Sequence, residues 1–122
     1  MSGITKMTKK HNSAYIRFLN LINAIDEQGA DKRLDAIEEQ LLEQVMRSSS
    51  QGREILVGDL ISLGQIGSQA TLHGRVKNLI TAGYINSISD ASDGRRKKLL
   101  PTKLAQQHYE NLSMLLIKAA TA

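Results

Sequence analysis

Apolar residues recur at intervals of three and four along most of the chain, and this spacing predicts α-helices. Four segments show the pattern over three turns or more: 13–28, 35–47, 68–82 and 102–120. Ser13, Ser68 and Thr102 stand where N-cap residues belong, because a hydroxyl there accepts a hydrogen bond from a first-turn amide. The first and last helices are apolar around a broad arc, so each needs a second burial partner.

The helix 35–47 divides into two faces. Its spacing places six apolar residues inward, namely Leu34, Ile37, Leu41, Leu42, Val45 and Met46. Glu38, Glu39 and Glu43 are expected on a solvated outer face. The composition of Ser48–Gly52 then predicts a turn.

Shorter elements fill residues 53–101. Arg53–Val57 is short and β-branched, and Gly58-Asp59 opens a helical segment that stops at Gly64. That segment, a few turn residues and the helix 68–82 have the spacing of a helix-turn-helix.

A hairpin follows the helix 68–82. Tyr84–Ile88 alternates apolar and polar residues, and Arg96–Pro101 can pair back against it. Between them, Ala91–Gly94 is a turn signal, because Asp-Gly readily supplies a positive φ. A helix-turn-helix followed by a hairpin is the winged-helix plan, so the predicted fold class is mainly α with a small β-hairpin (α+β).

Composition limits the function classes. The 122 residues predict one domain over 13–122 preceded by a flexible basic tail, 1–12, and the chain contains no cysteine. Disulfides, thiolate zinc sites and cysteine nucleophiles are thereby excluded. We see neither a signal peptide nor an apolar run of membrane-spanning length, so a cytoplasmic location is expected. The three histidines are scattered and no glycine-rich phosphate loop appears. We therefore expect a protein that is not an enzyme and that binds neither a metal nor a cofactor.

The net charge of +4 is unevenly distributed. Residues 13–50 hold four basic and seven acidic side chains, whereas residues 51–101 hold seven basic and four acidic ones. Four consecutive cations lie in the basic part, at 95–98, as expected of a polyanion contact. A solvated basic turn explains the same charges equally well.

The helix 68–82 carries side chains suited to nucleic acid. Hydroxyls and free amides at its N-terminus can hold phosphate, and its amide and imidazole groups can read bases. The candidate DNA-binding residues are Ser68, Gln69, Ala70, Thr71, His73, Arg75, Lys77 and Asn78. The alternative is an ordinary amphipathic helix whose outer face meets only water.

Residues 88–98 form the predicted wing. Arg95 at its tip can enter a minor groove, while Arg96, Lys97 and Lys98 can meet phosphates. Asp93 can accept hydrogen bonds from the turn backbone and pair with Arg95, fixing the direction of the guanidinium. The alternative is that Asp93-Gly94 serves turn chemistry alone.

The stretch from Leu41 to Ala105 resembles the MarR family of bacterial winged-helix transcription regulators. The resemblance rests on Asp59-Leu60-Ile61, Gly67-Ser68-Gln69-Ala70-Thr71-Leu72, Val76-Lys77-Asn78-Leu79, Gly83-Tyr84-Ile85 and, most specifically, the wing run 90–102 with Asp93-Gly94-Arg95. It implies wing salt-bridge and minor-groove roles for Asp93 and Arg95. Gly74 stands where the family often carries Arg, so that base or phosphate contact is either missing or shifted to Arg75 or Lys77.

The resemblance also implies a homodimer. Family dimers pair their terminal helices, and here 13–28 and 102–120 are the helices with excess apolar surface, so we expect them to be dimerisation helices. Two recognition helices are then spaced for half-sites about one DNA turn apart. Many family members bind a small effector near the dimer junction, but no residue here identifies one.

The sequence therefore predicts a sequence-specific DNA-binding transcriptional regulator. The helix 68–82 is expected in the major groove and the wing 88–98 at the minor groove or the backbone. The alternative is a winged-helix protein–protein interaction module that does not bind DNA, whose apolar terminal helices hold a different partner. Double-stranded DNA and a second copy of the chain are the expected partners, and a membrane is not.

Overall fold

The computed structural model describes residues 13–28 and 34–121. The predicted basic tail, 1–12, and the break predicted at 29–33 lie outside these residues. The elements in chain order are α1 (Ala14–Gln28), α2 (Ala36–Ser50), β1 (Ile55–Leu56), α3 (Val57–Ile61), α4 (Gln69–Thr81), β2 (Ile85–Ser89), β3 (Lys97–Pro101) and α5 (Lys103–Thr121). This mainly helical architecture with a small sheet is the fold class that the sequence predicts.

The described residues divide into two compact units. Residues 34–108 form one, and residues 13–28 with 109–121 form the other. Within the second unit, Nε and Nη2 of Arg17 donate to the carbonyl of Ala119 at 3.0 and 2.8 Å, placing a cation at the negative end of α5. That residues 13–122 make one domain remains a prediction.

The predicted hairpin is present and gains a third strand. The sheet is antiparallel in the order β1-β3-β2, and Leu99 of β3 lies opposite Ile55 on one side and Ser87 on the other. The short β-branched segment Arg53–Val57 contributes only the two residues of β1, because Val57 already begins α3. The Asp59 carboxylate fixes that start by accepting the Leu56 amide at 2.9 Å.

The core of the 34–108 unit lies between α2, α4 and the sheet. Its buried side chains are Leu41, Leu42 and Val45 of α2, Leu60 of α3, Leu72, Val76 and Leu79 of α4, Ile85 and Leu99 of the sheet, and Ala105 of α5. These residues recur at helical spacing, so burying this one stripe determines which face of α4 remains toward solvent.

The end of α2 differs from the prediction. Ser48–Ser50 continue the helix instead of forming a turn, and only Gln51 and Gly52 turn. Gly52 has φ +69°, its amide donates to the Ser49 carbonyl at 3.1 Å, and the Arg53 amide donates to the Ser48 carbonyl at 2.9 Å. This Schellman arrangement satisfies the last carbonyls and so permits an extra helical turn despite the serines.

Glu38 is also placed differently from the prediction. It is 9% exposed instead of solvated. Asp35 caps α2, with its carboxylate accepting the Glu38 amide at 2.7 Å while the Glu38 carboxylate accepts the Asp35 amide at 2.9 Å. This reciprocal capping box pulls the Glu38 side chain back over the helix start.

Candidate nucleic-acid interface

The helix α4 begins as predicted, at an N-cap serine. Ser68 has an extended backbone, and its Oγ accepts the Thr71 amide at 3.2 Å and donates to Thr71 Oγ1 at 2.9 Å. The two hydroxyls therefore bind each other. Helix geometry leaves the amides of Gln69 and Ala70 without an acceptor inside the helix, so they remain available to an anion.

The outward face of α4 is small at its centre. Leu72, Val76 and Leu79 are buried, which places Ala70, Gly74 and Thr81 on the opposite side at about 100° per residue. A Cβ built on Gly74 meets nothing within 4 Å. Small side chains at the centre allow the helix backbone to approach a surface closely.

The wing adjoins one flank of α4. A cavity of about 620 Å³ lies between them, lined by Leu56, Val57, Gly58, Asp59, His73, Val76, Lys77, Ile80, Ser87, Arg95, Arg96 and Lys97. The structure thus brings the predicted residues His73 and Lys77 of α4 together with three predicted wing cations. Asp59 is the single carboxylate among the residues that line the cavity. The net charge of the cavity lining is therefore strongly positive.

Two aspartates organise the wing loop between β2 and β3. Asp93 Oδ1 accepts the Arg95 amide at 3.1 Å and lies 3.4 Å from Arg95 Nε, in a side chain that is 93% exposed. These are the two contacts expected of Asp93.

Asp90, the first residue of the wing run but not one of the candidate DNA-binding residues, closes this loop. Its amide donates to the Arg96 carbonyl at 2.8 Å, and its Oδ1 accepts the Ser92 amide and hydroxyl at 2.9 and 2.8 Å. Those hydrogen bonds lower the pKa of Asp90. The prediction of a positive φ at the Asp-Gly turn is wrong. Gly94 has no positive φ, because the chain reverses over the wider loop spanning 90–96.

Neighbouring lysines of β3 have different surroundings. Lys98 Nζ lies 2.7 Å from Glu54 Oε2, and this contact raises the pKa of Lys98. Lys97 is exposed on the cavity and pairs with no carboxylate of the described residues. The cation run predicted from the sequence is therefore not uniform.

The other flank of α4 faces the start of α2. Arg75 Nε lies 2.6 Å from Asp35 Oδ2 and forms an ion pair with it, although the N–H bond does not point at the oxygen. Asn78 Nδ2 donates a hydrogen bond to Glu38 Oε2 at 3.2 Å. Sequence reasoning missed both contacts. The acid-x-x-Glu pattern of 35–38 signals only that a helix starts with an ordered carboxylate pair, and it does not identify Arg75 or Asn78 as the partners of those carboxylates.

Other chemistry is limited. Among the residues described, no group of three or more His, Asp or Glu side chains is placed to hold a metal ion. His108 meets Glu39 at 3.4 Å and the edge of Tyr84 at 5.7 Å between ring centroids, apart from the surface just described. None of the helices in the described part of the chain is long and apolar enough to cross a bilayer.

A capped helix, a wing and a bracing short helix define a winged helix-turn-helix protein. No protein-family model and no curated protein matches the chain. Solved structures do match. The heme sensor protein PefR from Streptococcus agalactiae, in complex with heme, is 19% identical with a TM-score of 0.60, covering 86% of this chain and 71% of its own.

Two further structures agree. A point mutant of MepR from S. aureus is 19% identical, has a TM-score of 0.58 and covers 88% of this chain and 80% of its own. The adhesin competence repressor AdcR from Streptococcus pyogenes is 20% identical, has a TM-score of 0.53 and covers 84% and 72%. These neighbours are MarR-family winged-helix regulators, so the chain has the MarR-type fold that its motifs predict.

Proposed function

We propose that the chain is a DNA-binding transcriptional regulator that acts as a homodimer. The observation that carries the proposal is the junction of α4 with the wing, where His73, Lys77 and three wing cations line one cavity beside the outward face of the helix. Structural neighbours that are transcriptional regulators of the same fold support it.

The outward face of α4 suits the major groove. A groove about 12 Å wide admits a helix with its side chains, whose diameter is about 10–12 Å. The small residues Ala70, Gly74 and Thr81 permit close approach, while Gln69 and Lys77 lie beside them. In this arrangement the Gln69 and Ala70 amides meet a phosphate at the start of the helix, together with the Ser68 and Thr71 hydroxyls.

The wing then contacts the backbone or an adjacent minor groove. Arg95 is almost fully exposed and Asp93 restrains it through its backbone amide and Nε. A guanidinium directed in this way suits the negative potential of a narrow minor groove. Arg96 and Lys97 follow on the same loop and strand, where they are available to phosphates.

Apolar side chains support the dimer. Tyr15, Met114, Leu116 and Ile117 are each more than half exposed, and they belong to the unit built from α1 and the end of α5. Burying such groups against a second copy is favourable at about 25 cal/mol per Å² of apolar surface. A protein-interaction module would use the same side chains for a different partner and would show no salt-dependent DNA binding.

The test is a fluorescence-anisotropy titration after selection of duplex fragments from genomic DNA. The wild-type protein should select a common sequence and bind it with an affinity that falls steeply with salt. Arg95→Ala should weaken binding, whereas Arg47→Ala, which removes an exposed arginine paired with Glu43 on α2, should not. Absence of selection, or binding that salt does not affect, would refute the proposal.

A further inference from the structure

The two flanks of α4 carry opposite charge. Toward the wing, Lys77 is surrounded by further cations. Toward α2, Arg75 faces Asp35 and Asn78 faces Glu38, so the described residues of this flank include two carboxylates and one cation. The side chains described there therefore present net negative charge to an approaching phosphate backbone.

Asp35 is held in place independently of Arg75. One of its carboxylate oxygens, Oδ1, accepts the Glu38 amide at 2.7 Å, and its own amide donates to Glu38 Oε1 at 2.9 Å. The second oxygen, Oδ2, is thereby directed toward Arg75 Nε at 2.6 Å. Arg75 Nε is buried, so the guanidinium is shielded from water on the side of the ion pair.

We propose that Asp35 competes with DNA phosphate for Arg75. This inference rests on the proposed DNA-binding function. The Asp35 carboxylate acts as an internal anion that neutralises Arg75, one cation of the recognition helix. It thereby lowers the affinity for DNA. The flank on the wing side is then the one that attracts the phosphate backbone. Asp35 is a residue of the α2 cap, which gives that cap a role in setting affinity.

The salt dependence of binding measures this competition. Each cation that neutralises a phosphate adds about 0.9 to the slope of log K against log salt concentration. An Arg75 engaged by Asp35 adds nothing. Releasing it should steepen the slope by about 0.9 per protomer, or about 1.8 for a dimer on two half-sites.

The experiment compares Asp35→Asn with the wild type on the selected duplex, by anisotropy at salt concentrations from 50 to 200 mM. Asn is as good an N-cap as Asp, so this variant removes the charge and keeps the cap. Tighter binding with the steeper slope is expected. Adding Arg75→Gln to Asp35→Asn should return the slope to the wild-type value.

Glu43→Gln is the matched control, because it removes the same charge from α2 at a residue paired with Arg47 instead of α4. If Glu43→Gln steepens the slope equally, the effect is general and the proposal is wrong. Unchanged binding by Asp35→Asn also overturns the proposal. Weaker binding overturns it too, because that result would show that Asp35 positions Arg75 for DNA. Should circular dichroism show that Asp35→Asn is unfolded, Asp35→Ser, another good N-cap, takes its place. A wild type that binds no duplex would instead refute the proposed function itself.

Discussion

Lys97 and Lys98 are adjacent on β3, and the structure predicts that they contribute differently to DNA binding. Lys98 is paired with Glu54 at 2.7 Å, whereas Lys97 lies on the cationic cavity beside Arg95 and Arg96. Replacing each lysine in turn by Gln removes one charge from the same strand. The pair therefore provides its own control for strand position and for net charge.

The size of the effect follows from the cations available to phosphate. Lys77, Arg95, Arg96 and Lys97 lie on the wing side, and at about 0.9 each they give a slope of about −3.6 per protomer and about −7 per dimer. A fourfold rise in salt then weakens binding by about 10⁴-fold. Lys97→Gln should reduce the dimer slope by about 1.8, while Lys98→Gln should reduce it by much less.

Anisotropy titrations of one duplex at four or more salt concentrations measure both slopes. Chemical denaturation of each variant establishes that the protein is folded. Equal slopes for the two variants would contradict the reasoning, because they would mean that the ion pair with Glu54 does not withhold Lys98 from DNA. A larger loss for Lys98→Gln would reverse the assignment of the strand's two lysines.

Further predictions concern stability, pH and assembly. Gly52→Ala should lower the free energy of unfolding by about 1–2 kcal/mol because of the positive φ, while Gly74→Ala, in an open helix interior, should raise it by about 1 kcal/mol; urea denaturation measures both. Hydrogen bonds from Ser92 hold the pKa of Asp90 below its ordinary 3.8. The stability contributed by the Asp90 carboxylate is therefore fully present above pH 3.8, and it is lost as the pH falls through the lower pKa of the folded state. An NMR titration of the Ser92 amide should therefore show its midpoint below pH 3.8. Ile117→Lys should shift sedimentation from dimer to monomer, and an unchanged dimer would exclude that surface.

The helix-turn-helix and the hairpin were predictable because their signals are local. A serine at the start of α4, a glycine after it and apolar residues at helical spacing each act within a few residues of the chain. Gly83 has φ +88°, the left-handed conformation that a glycine commonly adopts just after a helix C-terminus. The elements that these local signals predict are present in the folded protein because tertiary contacts also favour them.

The burial of Glu38 shows what the sequence could also have revealed. Glu38 precedes Leu41, Leu42 and Val45 by three, four and seven residues, so helical periodicity places it on the buried face. Its charge suggested the opposite face. The capping box resolves the conflict, since it supplies hydrogen bonds that reduce the cost of burying the carboxylate.

Contacts between distant segments were not predictable. The pairing of Glu54 with Lys98 depends on the register of β1 against β3, and the pairing of Asp35 with Arg75 depends on how α2 packs on α4. Neither register nor packing angle leaves a pattern at short range. These contacts determine which cations of the candidate interface remain available.

The two-residue strand β1 has a consequence for how the molecule would meet DNA. It hydrogen-bonds to β3 and runs directly into α3, so the base of the wing is tied to the first helix of the helix-turn-helix. The wing base and the helix-turn-helix are therefore linked before any contact with DNA. Such preorganisation would reduce the conformational entropy lost on binding, so that more of the contact energy would appear as affinity.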